Sequence, residues 1–235
     1  MYYYYYIMGI VLLPGIILSI YAQIKVNHTY NKYKKEFSES NLTAKQVCEQ
    51  ILNAANINVQ ITEVQGTLSD YYDSRKKILA LSKENINSTS ISAIGVAAHE
   101  AGHALQDADN YAPMKIRHFV AIFSNIASNL LWPLIFIGLV FDFALYYSTF
   151  AQVFIYSGIA FFGLSVILNL VTLPVEFNAS NRAVAILRQS TILTESETQH
   201  AKEVLNAAAL TYIAALIYSI LNLLRFIMVF SKKRD

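Results

Sequence analysis

A single cysteine in 235 residues, Cys48, excludes an internal disulfide and any metal cluster built on thiolates. Charge is also scarce. Asp, Glu, Lys and Arg make up 14% of the chain, against about 25% in an ordinary soluble domain. The net charge is only +2 and no basic patch is interleaved with stacking aromatics, so no nucleic-acid partner is expected. No internal repeat is present, and no low-complexity stretch lies beyond the first tyrosines.

Apolar residues fill the space that charge leaves, at 55% of the chain. They form runs at 2–22, 119–141 and 143–173, with Asp142 between the last two, and at 207–230, where Asn222 and Arg225 interrupt. Each run is long enough to cross a hydrocarbon core about 30 Å thick. The first lacks the basic n-region and small-residue cleavage site of a signal peptide, so it reads as an uncleaved anchor. Pro133 is compatible with a kinked but unbroken second span. The chain thus divides into an anchor (1–22), a polar α+β region (23–118), a transmembrane hairpin (119–173), a polar helical segment (174–206) and a C-terminal membrane helix with a basic tail (207–235). Lys25, Lys32, Lys34 and Lys35 follow the first span, Lys115 and Arg117 precede the second, and Arg182 and Arg188 follow the third. This bias places both polar regions on the cytoplasmic side of a multi-pass cell-membrane protein. The tail Lys232-Lys233-Arg234 runs against it, because four full spans would put that tail outside.

Within the first polar region, Val47, Ile51 and Leu52 share a helical face that Thr43 can cap. Residues 58–64 alternate like a half-buried strand, Gly66 marks a turn, and Ile78–Leu81 reads as a second strand whose edge could pair with an extended peptide. Ser88 to Ser92 offer N-caps for a helix running to about Asp107.

That helix carries His99-Glu100-Ala101-Gly102-His103. Positions four apart share a helical face, so both imidazoles can reach one zinc ion. Glu100 is rotated off that line and can reach a water without coordinating. This is the logic of an HExxH zinc site, with two ligands and a general base. A catalytic zinc needs a third protein ligand. Asp109 has the spacing of HExxHxxGxxH/D, but Gln106 stands where that pattern needs glycine. Glu176, in Leu173-Pro174-Val175-Glu176, follows a hairpin that returns the chain to the same membrane face. Its alternative role is an interfacial carboxylate paired with Arg182 or Lys202. Pro174 marks the start or a kink of a helix. Tyr212 and His200 are candidate oxyanion donors, each set against a purely structural role. Thr194 with Glu197 forms a capping-box pattern, which places both on one long helix. The fold expected is a mainly α membrane protein, with about four transmembrane helices and a small zincin-like α+β domain carrying a two-stranded sheet. Its partners would be a protein or peptide substrate and the lipid bilayer. The competing reading is a non-catalytic membrane scaffold with a structural zinc, which would need a fourth protein ligand that no Cys or His is placed to supply.

Val96-Ala97-Ala98-His99-Glu100-Ala101-Gly102-His103-Ala104-Leu105-Gln106 together with Leu173-Pro174-Val175-Glu176-Phe177-Asn178-Ala179-Ser180 resembles the membrane-bound neutral zinc metallopeptidases of bacteria, the YugP-like group. The similarity runs from about residue 40 to 225 and includes Ser90-Ile91 and Ala207 to Tyr212. It implies zinc peptidase activity, with His99, His103 and Glu176 as ligands and Glu100 as base. The layout is also similar to gluzincin membrane proteases of the HtpX and CAAX-prenyl-protease kind. Many gluzincins place an aspartate four residues after the ligand glutamate to orient a zinc histidine. Here that position is Ser180, a weaker hydrogen-bond partner. Where relatives often read Asp-His-Tyr-Asp-Pro, this chain has Asp70-Tyr71-Tyr72-Asp73-Ser74.

Overall fold

The computed structural model describes residues 9–145 and 148–231. Within them the chain forms helices α1 (Leu13–Tyr33), α2 (Ala44–Ala54), α3 (Ile91–Ala108), α4 (Ala112–Leu145), α5 (Ser148–Gln189) and α6 (Glu195–Ser231). Strands β1 (Gln60–Val64), β2 (Tyr71–Asp73) and β3 (Ile78–Ser82) lie between α2 and α3. They belong to two compact units. One comprises Met1–Ile20, Lys115–Leu173 and Tyr212–Asp235, and the other Tyr21–Met114 and Pro174–Thr211.

In the second unit, local chemistry sets the element ends. Thr43 caps α2 in a reciprocal box with Gln46, and Ser90 caps α3 by accepting from the Ala93 N–H. Beyond the C-cap Asp109, Asn110 takes φ +55°, a left-handed stop that asparagine tolerates. Thr194 and Glu197 exchange backbone bonds at the start of α6. Val47, Cys48, Ile51 and Leu52 of α2 are buried against Ile94, Ala97 and Ala101 of α3 in one apolar cluster, each large aliphatic contributing about 1.5–3 kcal/mol of burial. The Cys48 thiol donates to the Ala97 carbonyl at 3.1 Å, and burial pushes its pKa well above the usual thiol range. It is a packing residue.

The sheet has three strands, not the expected two, in the order β1-β3-β2. β1 runs parallel to β3, and β2 antiparallel. β2 escapes a sequence reading because it is short and because its hairpin turn has no glycine. Asp73 Oδ1 accepts from the Arg75 and Lys76 N–H groups, and Lys77 takes φ +54°. Since β3 is central, the Ile78–Leu81 strand offers no free edge for a peptide, and that expectation is corrected. Asp70 further closes the end of β3, accepting from the Ser82 N–H at 2.7 Å and from the Asn85 amide at 2.8 Å.

Two helical stretches are long and apolar enough to cross a membrane, Tyr156–Gln189 and Glu195–Met228. Only 11% and 33% of their most apolar windows are buried, unlike the core helix of a soluble protein. Of the four spans expected, these are the two that the described residues support. The segment 2–22 is described only from residue 9. The 119–141 segment is helical throughout, with Pro133 inside α4, but several of its side chains lie outside the described residues. Pro174 is likewise interior: α5 continues unbroken from Ser148 to Gln189, so no new helix starts there. In the first unit, α1 and α6 approach closely at Gly15, where a Cβ would lie 3.1 Å from Tyr218 Cα.

Candidate metal centre

The candidate residues of the second unit meet where α3 crosses α5. On α5, Val175, Glu176, Ala179, Ser180, Ala183 and Leu187 are buried at intervals of three and four, which puts Glu176 on the inward face. On α3, His103 and Glu100 are each 8% exposed. The crossing is close because Gly102 has no side chain: a Cβ there would lie 2.6 Å from the Ala179 carbonyl oxygen. The sequence reading missed Gly102, since a glycine inside a helix normally reads as a mild defect.

His99 Nε2 lies 3.3 Å and His103 Nε2 3.5 Å from the same oxygen, Glu176 Oε2. The rings stand at 81° with centroids 4.7 Å apart, which lets both nitrogens converge without stacking. All three donor atoms lie within 4.8 Å of one another. Zinc holds nitrogen and carboxylate oxygen at about 2.0–2.2 Å, so neighbours around a tetrahedral centre sit roughly 3.3–3.5 Å apart. Both nitrogen-to-oxygen separations match that spacing, and the donor set is one that suits zinc. The group has three members among the described residues, where a closed structural site would have four.

Each imidazole is held from behind. Ser180 Oγ is 3.1 Å from His99 Nδ1. His103 Nδ1 lies 3.0 Å from Gln106 Oε1. Gln106, fully buried, donates its amide to the Val175 carbonyl at 2.8 Å and to Asn178 Oδ1 at 3.0 Å. Asn178 Oδ1 also accepts from Arg182 Nε at 2.9 Å, and Arg182 pairs with Asp109. Asp109 therefore holds Arg182 instead of standing in the metal group. The sequence reading saw in Gln106 only a missing glycine. The available signal was a glutamine three residues after a histidine, on the same helical face.

Burial raises the Glu100 pKa; the nearby His103 and His99 only partly offset it. Burial would lower the His103 pKa, but the Glu176 and Glu100 carboxylates outweigh it and leave it raised. Tyr72 ties β2 to the C-terminal part of α3 by donating to Asp107 Oδ2 at 2.6 Å. Strand β2 thus supports the α3 helix.

Of the two candidate oxyanion donors, His200 is committed elsewhere. Its Nδ1 is 2.7 Å from Glu36 Oε1, and its ring stacks on Tyr33 with centroids 4.6 Å apart. Tyr212 belongs to the first unit, whereas the three-residue group lies wholly in the second.

A family model described as "Putative neutral zinc metallopeptidase" matches residues 8–231. "Putative membrane protease YugP" of Bacillus subtilis (strain 168) is 39% identical over 219 residues, which cover 93% of this chain and 94% of that protein. No solved structure matches.

Proposed function

The chain belongs to the neutral zinc metallopeptidase family and is a zinc peptidase; from that premise we propose that it is a membrane-anchored endopeptidase whose zinc is held by His99, His103 and Glu176. The observation that carries the residue assignment is the convergence of two imidazole nitrogens on one carboxylate oxygen at the spacing of zinc ligands.

The chemistry that a bound zinc supplies is Lewis acidity, toward a water molecule and toward the scissile carbonyl. Glu100 takes the proton from the attacking water and delivers it to the leaving amine as the C–N bond breaks. Its position one residue after a ligand brings it beside the group without making it a fourth member. Burial raises its pKa, which makes it a stronger base toward the water. Ser180 and Gln106 hold the two imidazoles, so the ring positions are fixed before substrate arrives.

Anchoring is supported by the two apolar helices and by the printed name of the Bacillus relative. The Lys and Arg residues beside the apolar runs favour a multi-pass arrangement with the site on the cytoplasmic side. Reporter fusions after residues 60 and 235 test this: a translocated 23–118 segment overturns the cytoplasmic assignment.

The peptidase reading is tested by metal removal. Purified protein is expected to carry about one zinc per chain and to cleave casein. Stripping with a chelator should abolish cleavage, and stoichiometric zinc should restore it. Zinc retained without cleavage of any peptide would favour the scaffold reading, and absence of zinc would remove the assignment.

A further inference from the structure

We propose that Gln106 is a positioning residue that fixes the tautomer of His103, keeping the proton on Nδ1 and turning a bare Nε2 toward Glu176. Some of the groups around Gln106 have a hydrogen-bonding role that cannot change. An arginine side chain only donates, so Arg182 Nε at 2.9 Å from Asn178 means that the oxygen of that amide faces it. The same oxygen lies 3.0 Å from the Gln106 side chain, which must therefore present its nitrogen there. The Val175 carbonyl only accepts, and at 2.8 Å it demands that nitrogen as well. Two independent anchors thus set the Gln106 amide, and its oxygen is left to face His103 Nδ1 at 3.0 Å. An amide oxygen only accepts, so Nδ1 must carry the proton. A proton on Nε2 would find Glu176 Oε2 at 3.5 Å, too far for a good hydrogen bond.

When the ring is neutral, the bare Nε2 then faces a carboxylate oxygen, two acceptors with no proton between them. A cation resolves that arrangement, and here the inference rests on the reading of His103 as a zinc ligand. The partner of His99 differs in kind. Ser180 is a hydroxyl that can donate or accept, so at 3.1 Å it restrains the ring without choosing its tautomer. Control over the two histidines is therefore asymmetric.

The test uses the full chain in detergent with ¹⁵N-labelled histidine. In zinc-free protein, at a pH where the ring is neutral, His103 is expected to show a protonated Nδ1 and an unprotonated Nε2. Gln106→Met, which keeps the length and apolar bulk but removes the strong acceptor, should mix the tautomers. It should also weaken zinc binding by about 10–100-fold in chelator competition. A wild-type ring protonated on Nε2 overturns the proposal. So does Gln106→Met with an unchanged tautomer and unchanged zinc affinity. The wild-type spectrum needs neither a variant nor a metal. If the wild type shows the expected tautomer yet binds no zinc, the ligand reading fails while the positioning role stands.

Discussion

Glu100→Gln is expected to lower peptide turnover by about 10²–10⁴-fold, the range for losing a general acid–base, while zinc stays bound. The substitution is nearly isosteric at a residue 8% exposed, so packing of α3 should persist. The three converging donors belong to other residues and are unchanged. What is lost is a group able to take and return a proton. Glu176 cannot replace it, because its carboxylate faces both imidazoles. Metal content beside casein cleavage for the two proteins decides the matter. Zinc in both with cleavage only in wild type establishes Glu100 as the base. Full turnover in the variant removes that role, and loss of zinc would mean that Glu100 helps to hold the metal.

Gly102→Ala should be the most damaging single methyl group in the second unit. The new Cβ would meet the Ala179 carbonyl oxygen at 2.6 Å and its carbonyl carbon at 3.2 Å. Both are backbone atoms of a long helix and cannot rotate aside, so α3 and α5 must separate locally. Overpacking of this kind costs about 1–3 kcal/mol. The functional loss should exceed the stability loss, since Glu176 sits on α5 three residues before Ala179, and His103 follows Gly102. The nitrogen-to-oxygen separations that match a zinc ion would widen, and zinc affinity should fall at least tenfold. Gly95→Ala, in the same helix, is the control. Its Cβ would touch Ala201 Cβ at 3.4 Å, an ordinary contact, and alanine is the better helix former by about 1 kcal/mol. Thermal unfolding and chelator competition on both variants separate the two effects. Equal zinc affinity for Gly102→Ala and wild type would show that the crossing has slack.

The sequence by itself determined whatever depends on spacing along one element. The HExxH pattern placed His99 and His103 on one face of a helix and Glu100 beside them. Thr43, Ser90 and Thr194 announced helix starts, because a cap is a contact across three residues. Scarce charge and long apolar runs announced the membrane character. Glu176 could be suspected, since a hairpin returns the chain, but the same residues also allowed a pair with Arg182. Only tertiary structure could choose, because 73 residues separate Glu176 from His103 and nothing local couples them. The crossing of α3 and α5 sends Arg182 to Asp109 and Asn178 and leaves Glu176 facing the imidazoles. The crossing also gave meaning to Gly102, whose missing side chain matters only against Ala179, and to Gln106, whose amide is oriented by acceptors 69 and 72 residues away. β2 was hidden for a related reason: three residues and a turn without glycine carry little periodicity, and the strand exists because β3 and Asp107 hold it. Periodicity reports which face a residue occupies, whereas the partner on that face is set by packing between distant segments.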